Sequence, residues 1–126
     1  MQALIIDDSR AMRRILTKIV QPLGFDITEA ENGAEGFDRL VSAPDVEVVL
    51  VDWNMPVMNG LDFVKKVRAT DGFETQKIIM VTTETEPAQM ARALMDGVDE
   101  FVMKPFTADI LLEKMKLIGV AMPAEV

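Results

Sequence analysis

Five side chains in this sequence have the types and spacing to handle a phosphoryl group through oxygen atoms. Asp7-Asp8, Asp52, Thr82 and Lys104 each follow directly on a short apolar run: Ala3 to Ile6, Val48 to Val51, Ile78 to Val81 and Phe101 to Met103. In an open sheet of parallel strands, ligands bind beyond the carboxyl ends of the strands. If the four runs are such strands, three carboxylates, a hydroxyl and an ammonium share one rim. Three carboxylates held together repel, so at neutral pH at least one resists ionising unless a cation joins them. A hard divalent ion meets that need, and oxygen-only ligands favour magnesium, which keeps several waters and takes phosphate as a further ligand. One carboxylate is then free to attack phosphorus. The metal and Lys104 offset the charge of the transferring group, Thr82 donates a hydrogen bond to it, and the product is an aspartyl phosphate.

Each residue also has an ordinary explanation. Asp7-Asp8 ahead of a helix complements the helix dipole, and Asp52 ahead of Asn54, Pro56 and Asn59-Gly60 suits a turn. Thr82 is accounted for as a structural threonine and Lys104 as a solvated lysine. Four such coincidences at four strand ends are harder to accept than one shared site.

Composition narrows the chemistry. The chain has 126 residues, no cysteine and no histidine, which excludes disulfides, thiol nucleophiles, imidazole bases and phosphohistidine within the chain. Its 21 acidic and 13 basic residues give a net charge of −8, which repels nucleic acid. No apolar run approaches the roughly 18 residues of a membrane span, and no basic-then-apolar leader opens the chain. A cytoplasmic protein with no membrane or nucleic-acid partner is expected. At this length, one domain removes about two-thirds of its unfolded surface from water.

The elements that must position the rim follow from hydropathy. The unbroken apolar runs read as strands covered on both faces, and the alternating Phe25-Asp26-Ile27-Thr28 as an edge strand. Met12, Ile15, Leu16, Ile19 and Val20 share a helix face capped by Ser9 and stopped by Pro22 and Gly24. Ala34, Phe37, Leu40 and Val41 mark a second helix, and Leu61, Val64 and Val67 a third entered through Asn59-Gly60. Thr85 reads as the cap of a fourth, with Pro87 in its first turn and Met90, Ala91 and Leu94 on one face. Thr107 caps the fifth, where Leu111, Met115 and Ile118 face inward. Five strands alternating with five helices imply right-handed crossovers and a doubly wound α/β fold, with the three most apolar strands central. Residues 1–126 read as a single domain without an output domain. Glu29-Ala30-Glu31-Asn32, after the edge strand, has no evident partner in the rim.

Asp7-Asp8-Ser9 with Met12-Arg13-Arg14, then Asp52-Trp53-Asn54-Met55-Pro56-Val57-Met58-Asn59-Gly60, Thr82 and Lys104-Pro105-Phe106 resemble the receiver domain of two-component response regulators over nearly the whole chain. The likeness is nearest to single-domain chemotaxis regulators of the CheY kind. It implies a flavodoxin-like (βα)5 sheet in the order 2-1-3-4-5. It implies Asp52 as phosphoacceptor, with magnesium held by Asp8 and Asp52, by Asp7 through water and by the Asn54 carbonyl. Thr82 and Lys104 would hold the phosphoryl oxygens, with a cis peptide before Pro105. Phosphorylation would draw Thr82 inward and let Phe101 turn into the space it leaves, remodelling the surface of the fourth helix, fifth strand and fifth helix. Asn54 and Glu84 hold the positions that tune hydrolysis in the family, and the pair resembles fast self-dephosphorylating members.

The implied partners are a histidine kinase of the CheA kind as phosphodonor and a downstream target such as a flagellar motor switch protein, with the protein itself a monomer and a signalling protein rather than an enzyme. Two departures stand out. Phe101 replaces the usual tyrosine, and Thr83 the usual small alanine. An intermediate phosphorelay carrier is the alternative within the family. A phosphohydrolase with an aspartate nucleophile is the alternative outside it, but that chemistry needs an acid where Asn54 stands. A phosphate-independent interaction domain with a vestigial site is a third. Met90 and Met103 are placed near the output surface, and Arg13-Arg14 and Lys65-Lys66 read as solvated helix faces.

Overall fold

The computed structural model describes residues 1–43 and 45–123; the last three positions of the expected 1–126 domain lie outside them. Five strands alternate with five helices: β1 (Gln2–Ile6), α1 (Arg10–Val20), β2 (Asp26–Ala30), α2 (Gly33–Ser42), β3 (Val46–Val51), α3 (Gly60–Arg68), β4 (Lys77–Thr82), α4 (Pro87–Asp96), β5 (Glu100–Met103) and α5 (Ala108–Leu117). All strand pairs are parallel, in the order β2-β1-β3-β4-β5. The three apolar strands are central and the alternating one is at an edge, as their patterns require.

Successive strand residues point to opposite faces, so each central strand feeds two cores. Leu4, Ile6, Val49, Val51, Ile78 and Met80 pack with Leu40 of α2, Phe63, Val64 and Val67 of α3 and Ala93 of α4. Ala3, Ile5, Val48, Leu50, Ile79 and Val81 pack with Leu16 and Val20 of α1 and Leu111 and Met115 of α5. Each fully buried aliphatic side chain contributes about 1.5–3 kcal/mol. This two-sided core makes the sheet a rigid base for the rim.

Ser9, Asn59 and Thr107 open their helices as the sequence indicates, and Asn32 caps α2 as well. All four side chains accept from the backbone N–H three residues on. At α4 the cap position is Glu86, with no side-chain bond, because Pro87 opens the helix one residue after it; Thr85 is not the cap. That helix is also rotated from the expected face. Ala93 is buried while Leu94 is 50 % exposed and Ala91 is exposed, since a small side chain lets the helix approach the sheet closely. In α1 the buried residues are Arg13, Leu16 and Val20, and Ile15 faces outward; in α2, Val41 faces outward and Gly33 and Gly36 are buried instead. A Cβ on Gly36 would lie 2.4 Å from Ile6 Cδ1, so glycine lets α2 lie on β1.

Candidate functional site

Backbone hydrogen bonds continue the sheet one residue past its strands and set the rim. Asp7 N–H donates to the Ala30 carbonyl (3.1 Å), Asp52 N–H to Ile6 (2.9 Å) and Lys104 N–H to Thr82 (2.9 Å). The chain therefore delivers Asp7, Asp52, Thr82 and Lys104 at neighbouring strand ends. Lys104 Nζ lies 3.1 Å from Asp7 Oδ2 and 3.3 Å from Asp52 Oδ2. The other oxygen of each carboxylate is taken by backbone: Asp7 Oδ1 accepts from Ser9 N–H (2.8 Å) and Asp52 Oδ1 from Trp53 N–H (2.7 Å). Oxygen atoms of Asp7, Asp8 and Asp52 all lie within 4.8 Å of one another, with Asp7 buried, Asp52 half-buried and Asp8 exposed.

Burial is the main reason the Asp52 carboxyl is held above the usual carboxylate range. Lys104 pulls it down and the neighbouring Asp7 pushes it up. One ammonium thus faces two carboxylates, with a third alongside. The donor set, oxygen atoms only and an excess of negative charge, fits a hard divalent cation such as magnesium. Asp7, Asp8 and Asp52 are the side chains that would hold it.

The remaining expected residues lie around this centre. Thr82 is fully buried, and its Oγ1 accepts from Glu84 N–H (3.1 Å). Asn54 and Thr83 are exposed; Glu84 turns back to accept from Glu86 N–H (2.9 Å). The peptide between Lys104 and Pro105 is cis. Phe101 is 5 % exposed and stacks on Trp53, with ring centroids 6.5 Å apart. That contact joins the residue after Asp52 to the expected switch residue. Met90, Phe101, Met103, Ile110 and Lys114 line a shallow groove of about 260 Å³, so both methionines do reach that surface.

The β3–α3 loop is shaped by two backbone features. Gly60 N–H donates to the Trp53 carbonyl, and a Cβ at Gly60 would sit 2.0 Å from the Asp52 carbonyl oxygen, a space only glycine leaves. Val57 has φ 68° and is 84 % exposed, in a tight turn closed by Met58 N–H on the Pro56 carbonyl (2.7 Å). The left-handed region costs a β-branched residue about 1–2 kcal/mol, whereas asparagine tolerates it. Val57→Asn is therefore expected to raise the melting temperature by about 3 °C in calorimetry.

One reading of the basic residues changes. Arg13 is not solvated: it is 8 % exposed and bonded to Asp7 and Glu29. The signal was its i, i+3, i+7 spacing with Leu16 and Val20, which the charge obscured. Lys66 stands 4.4 Å over the Phe37 ring, linking α3 to α2.

A five-stranded doubly wound fold thus gathers an acidic cluster and one lysine at its strand ends. The chain belongs to the response regulator receiver domain family, whose model matches residues 3–116. It is 46 % identical over 119 residues to the chemotaxis protein CheY1 of Helicobacter pylori, covering 94 % of this chain and 96 % of that protein. Among solved structures it is similar to chemotaxis protein CheY4 of Vibrio cholerae (TM-score 0.87, 32 % identity, 93 % of this chain and 97 % of that one). It is also similar to a chain in the CheX–CheY–BeF3–magnesium complex of Borrelia burgdorferi (TM-score 0.86, 26 % identity, 93 % and 88 % covered).

Proposed function

We propose that this protein is a chemotaxis response regulator that accepts a phosphoryl group on Asp52 and presents an altered partner surface afterwards. The observation that carries this is Lys104 Nζ set between Asp7 and Asp52 beside Asp8, in a family that signals by aspartate phosphorylation. The chain has no histidine, so the donor phosphohistidine lies outside it, on a histidine kinase. An Asp52 carboxylate oxygen forms the new O–P bond as the P–N bond to the donor breaks. The electron pair of that bond stays on the imidazole nitrogen, which takes up a proton.

Bound magnesium would offset charge on the phosphoryl oxygens and on the carboxylates that hold it. Lys104 offsets the remaining charge, and Thr82 donates a hydrogen bond from its hydroxyl to a phosphoryl oxygen. Asp7 orients Lys104 through their 3.1 Å contact. The phosphohydrolase alternative is not favoured: Asn54 cannot act as the acid it requires.

The reading extends to a single receiver domain acting as a monomer in the cytoplasm, with magnesium as its ion. No helix among the described residues is long and apolar enough to cross a membrane. The groove beside Phe101 is the surface that would meet the target, a motor switch protein being the candidate by analogy with chemotaxis relatives. Phe101 supplies no hydroxyl there, so that contact rests on its ring and the two methionines.

Trp53, the sole tryptophan, adjoins Asp52 and reports on the site. Titrating magnesium and then beryllofluoride should change its fluorescence in two steps. A protein silent to both would overturn the proposal. With Asn54 and Glu84 at the tuning positions, the adduct formed from acetyl phosphate is expected to decay within minutes by rapid-quench mass analysis. An adduct lasting hours would contradict that part of the reading.

A further inference from the structure

Arg13 is the one basic side chain that is buried among the described residues. A guanidinium this far from water requires charge-assisted hydrogen bonds in return, and its partners show what it holds. Nη1 donates to the backbone carbonyl of Asp7 at 2.6 Å, and Nε donates to Glu29 Oε1 at 3.1 Å; Nη2 lies 3.9 Å from Glu31 Oε1. The fork therefore ties the end of β1 to the end of β2. Asp7 is held at each of its other polar atoms too: its N–H by Ala30, Oδ1 by Ser9 N–H and Oδ2 by Lys104.

We propose that Arg13 is a positioning residue for the acidic rim. By fixing the Asp7 peptide, it sets where the Asp7 carboxylate meets Lys104 and the cation. This inference rests on the reading of the rim as a magnesium site. Its action is geometric rather than electrostatic, for two reasons. Arg13 touches Asp7 through the carbonyl and not the carboxylate, and its own charge is paired with Glu29. Lysine keeps the charge but has no planar fork with which to hold a carbonyl and a carboxylate together.

The test compares Arg13→Lys, Arg13→Met and Arg14→Met at a temperature where circular dichroism shows every variant folded. Magnesium affinity is read by Trp53 fluorescence. Arg14 is an exposed neighbour on the same helix, so its variant measures the loss of one positive charge alone. Removing such an outer partner of a metal ligand typically weakens metal binding 10–100-fold. Both Arg13 variants should therefore raise the magnesium dissociation constant about tenfold or more, with Arg14→Met near wild type. In the metal-free protein, hydrogen exchange at the Ser9 amide should accelerate in both Arg13 variants. Affinities and Ser9 exchange equal to wild type would overturn the proposal, as would recovery by lysine alone, which would make the effect one of charge. A wild-type protein that ignores magnesium would instead overturn the site reading itself, and this inference with it.

Discussion

Asp52→Asn should form no adduct with acetyl phosphate and should melt higher than the wild type at neutral pH. The first effect follows from loss of the attacking carboxylate: an amide oxygen is a poor nucleophile, and no other carboxylate of the rim occupies its place beside Trp53 and Lys104. The second follows from burial. The Asp52 carboxyl titrates above its ordinary range in the folded chain, so ionisation is harder there than in the unfolded chain. Its contribution is most favourable below the unfolded value of 3.8 and is lost as pH rises through the higher folded value. At pH 7 the ionised group therefore lowers stability, and a neutral amide of the same shape removes that cost. The gain should be a few degrees by calorimetry without divalent ions, shrinking as pH falls toward 4. An equal or lower melting temperature at pH 7 would mean that Lys104 outweighs the burial.

Lys104→Met should act in the opposite sense on stability and nearly as strongly on chemistry. The ammonium stands between two carboxylates, at 3.1 and 3.3 Å. Deleting one member of a buried charge cluster leaves the others uncompensated and costs about 3 kcal/mol, roughly 10 °C for a chain of this size. Magnesium should restore much of that loss, because it answers the same repulsion. Adduct formation from acetyl phosphate should slow by about 10²–10³-fold, the usual effect of removing one charge-stabilising group. Stopped-flow Trp53 fluorescence measures the rate, and calorimetry with and without magnesium the stability. A variant as stable as wild type without metal would show that the two carboxylates do not both carry charge.

Much of this arrangement is legible in the sequence, for a specific reason. Each chemical residue stands at the last position of, or just after, a strand that is buried on both faces, so hydropathy alone locates Asp7, Asp52, Thr82 and Lys104 at strand ends. The parallel topology then brings them together. The strand order itself came from resemblance, because no local pattern states which strands are neighbours.

What the sequence hides is rotation and reach. Ile15 and Arg13 lie on nearly opposite sides of one helix turn, and the buried side carries the arginine, since a carbonyl and Glu29 wait for it at the strand ends. Leu94 is apolar yet exposed, because Ala93 allows the closer approach. The edge strand runs on to Ala30, two residues beyond its alternating pattern, and this brings Glu29 to Arg13 and the Ala30 carbonyl to Asp7. The turn at Val57 breaks the local preference of a β-branched residue, which no propensity argument anticipates.

The central claim is the identity of the phosphoacceptor, and the most direct measurement locates the adduct. The protein is incubated with acetyl phosphate and magnesium, the acyl phosphate is trapped by borohydride reduction, and the modified residue is found by peptide mass analysis. The expected result is modification at Asp52 alone, dependent on magnesium. Modification at another carboxylate, or at Asp52 equally without magnesium, would contradict the account.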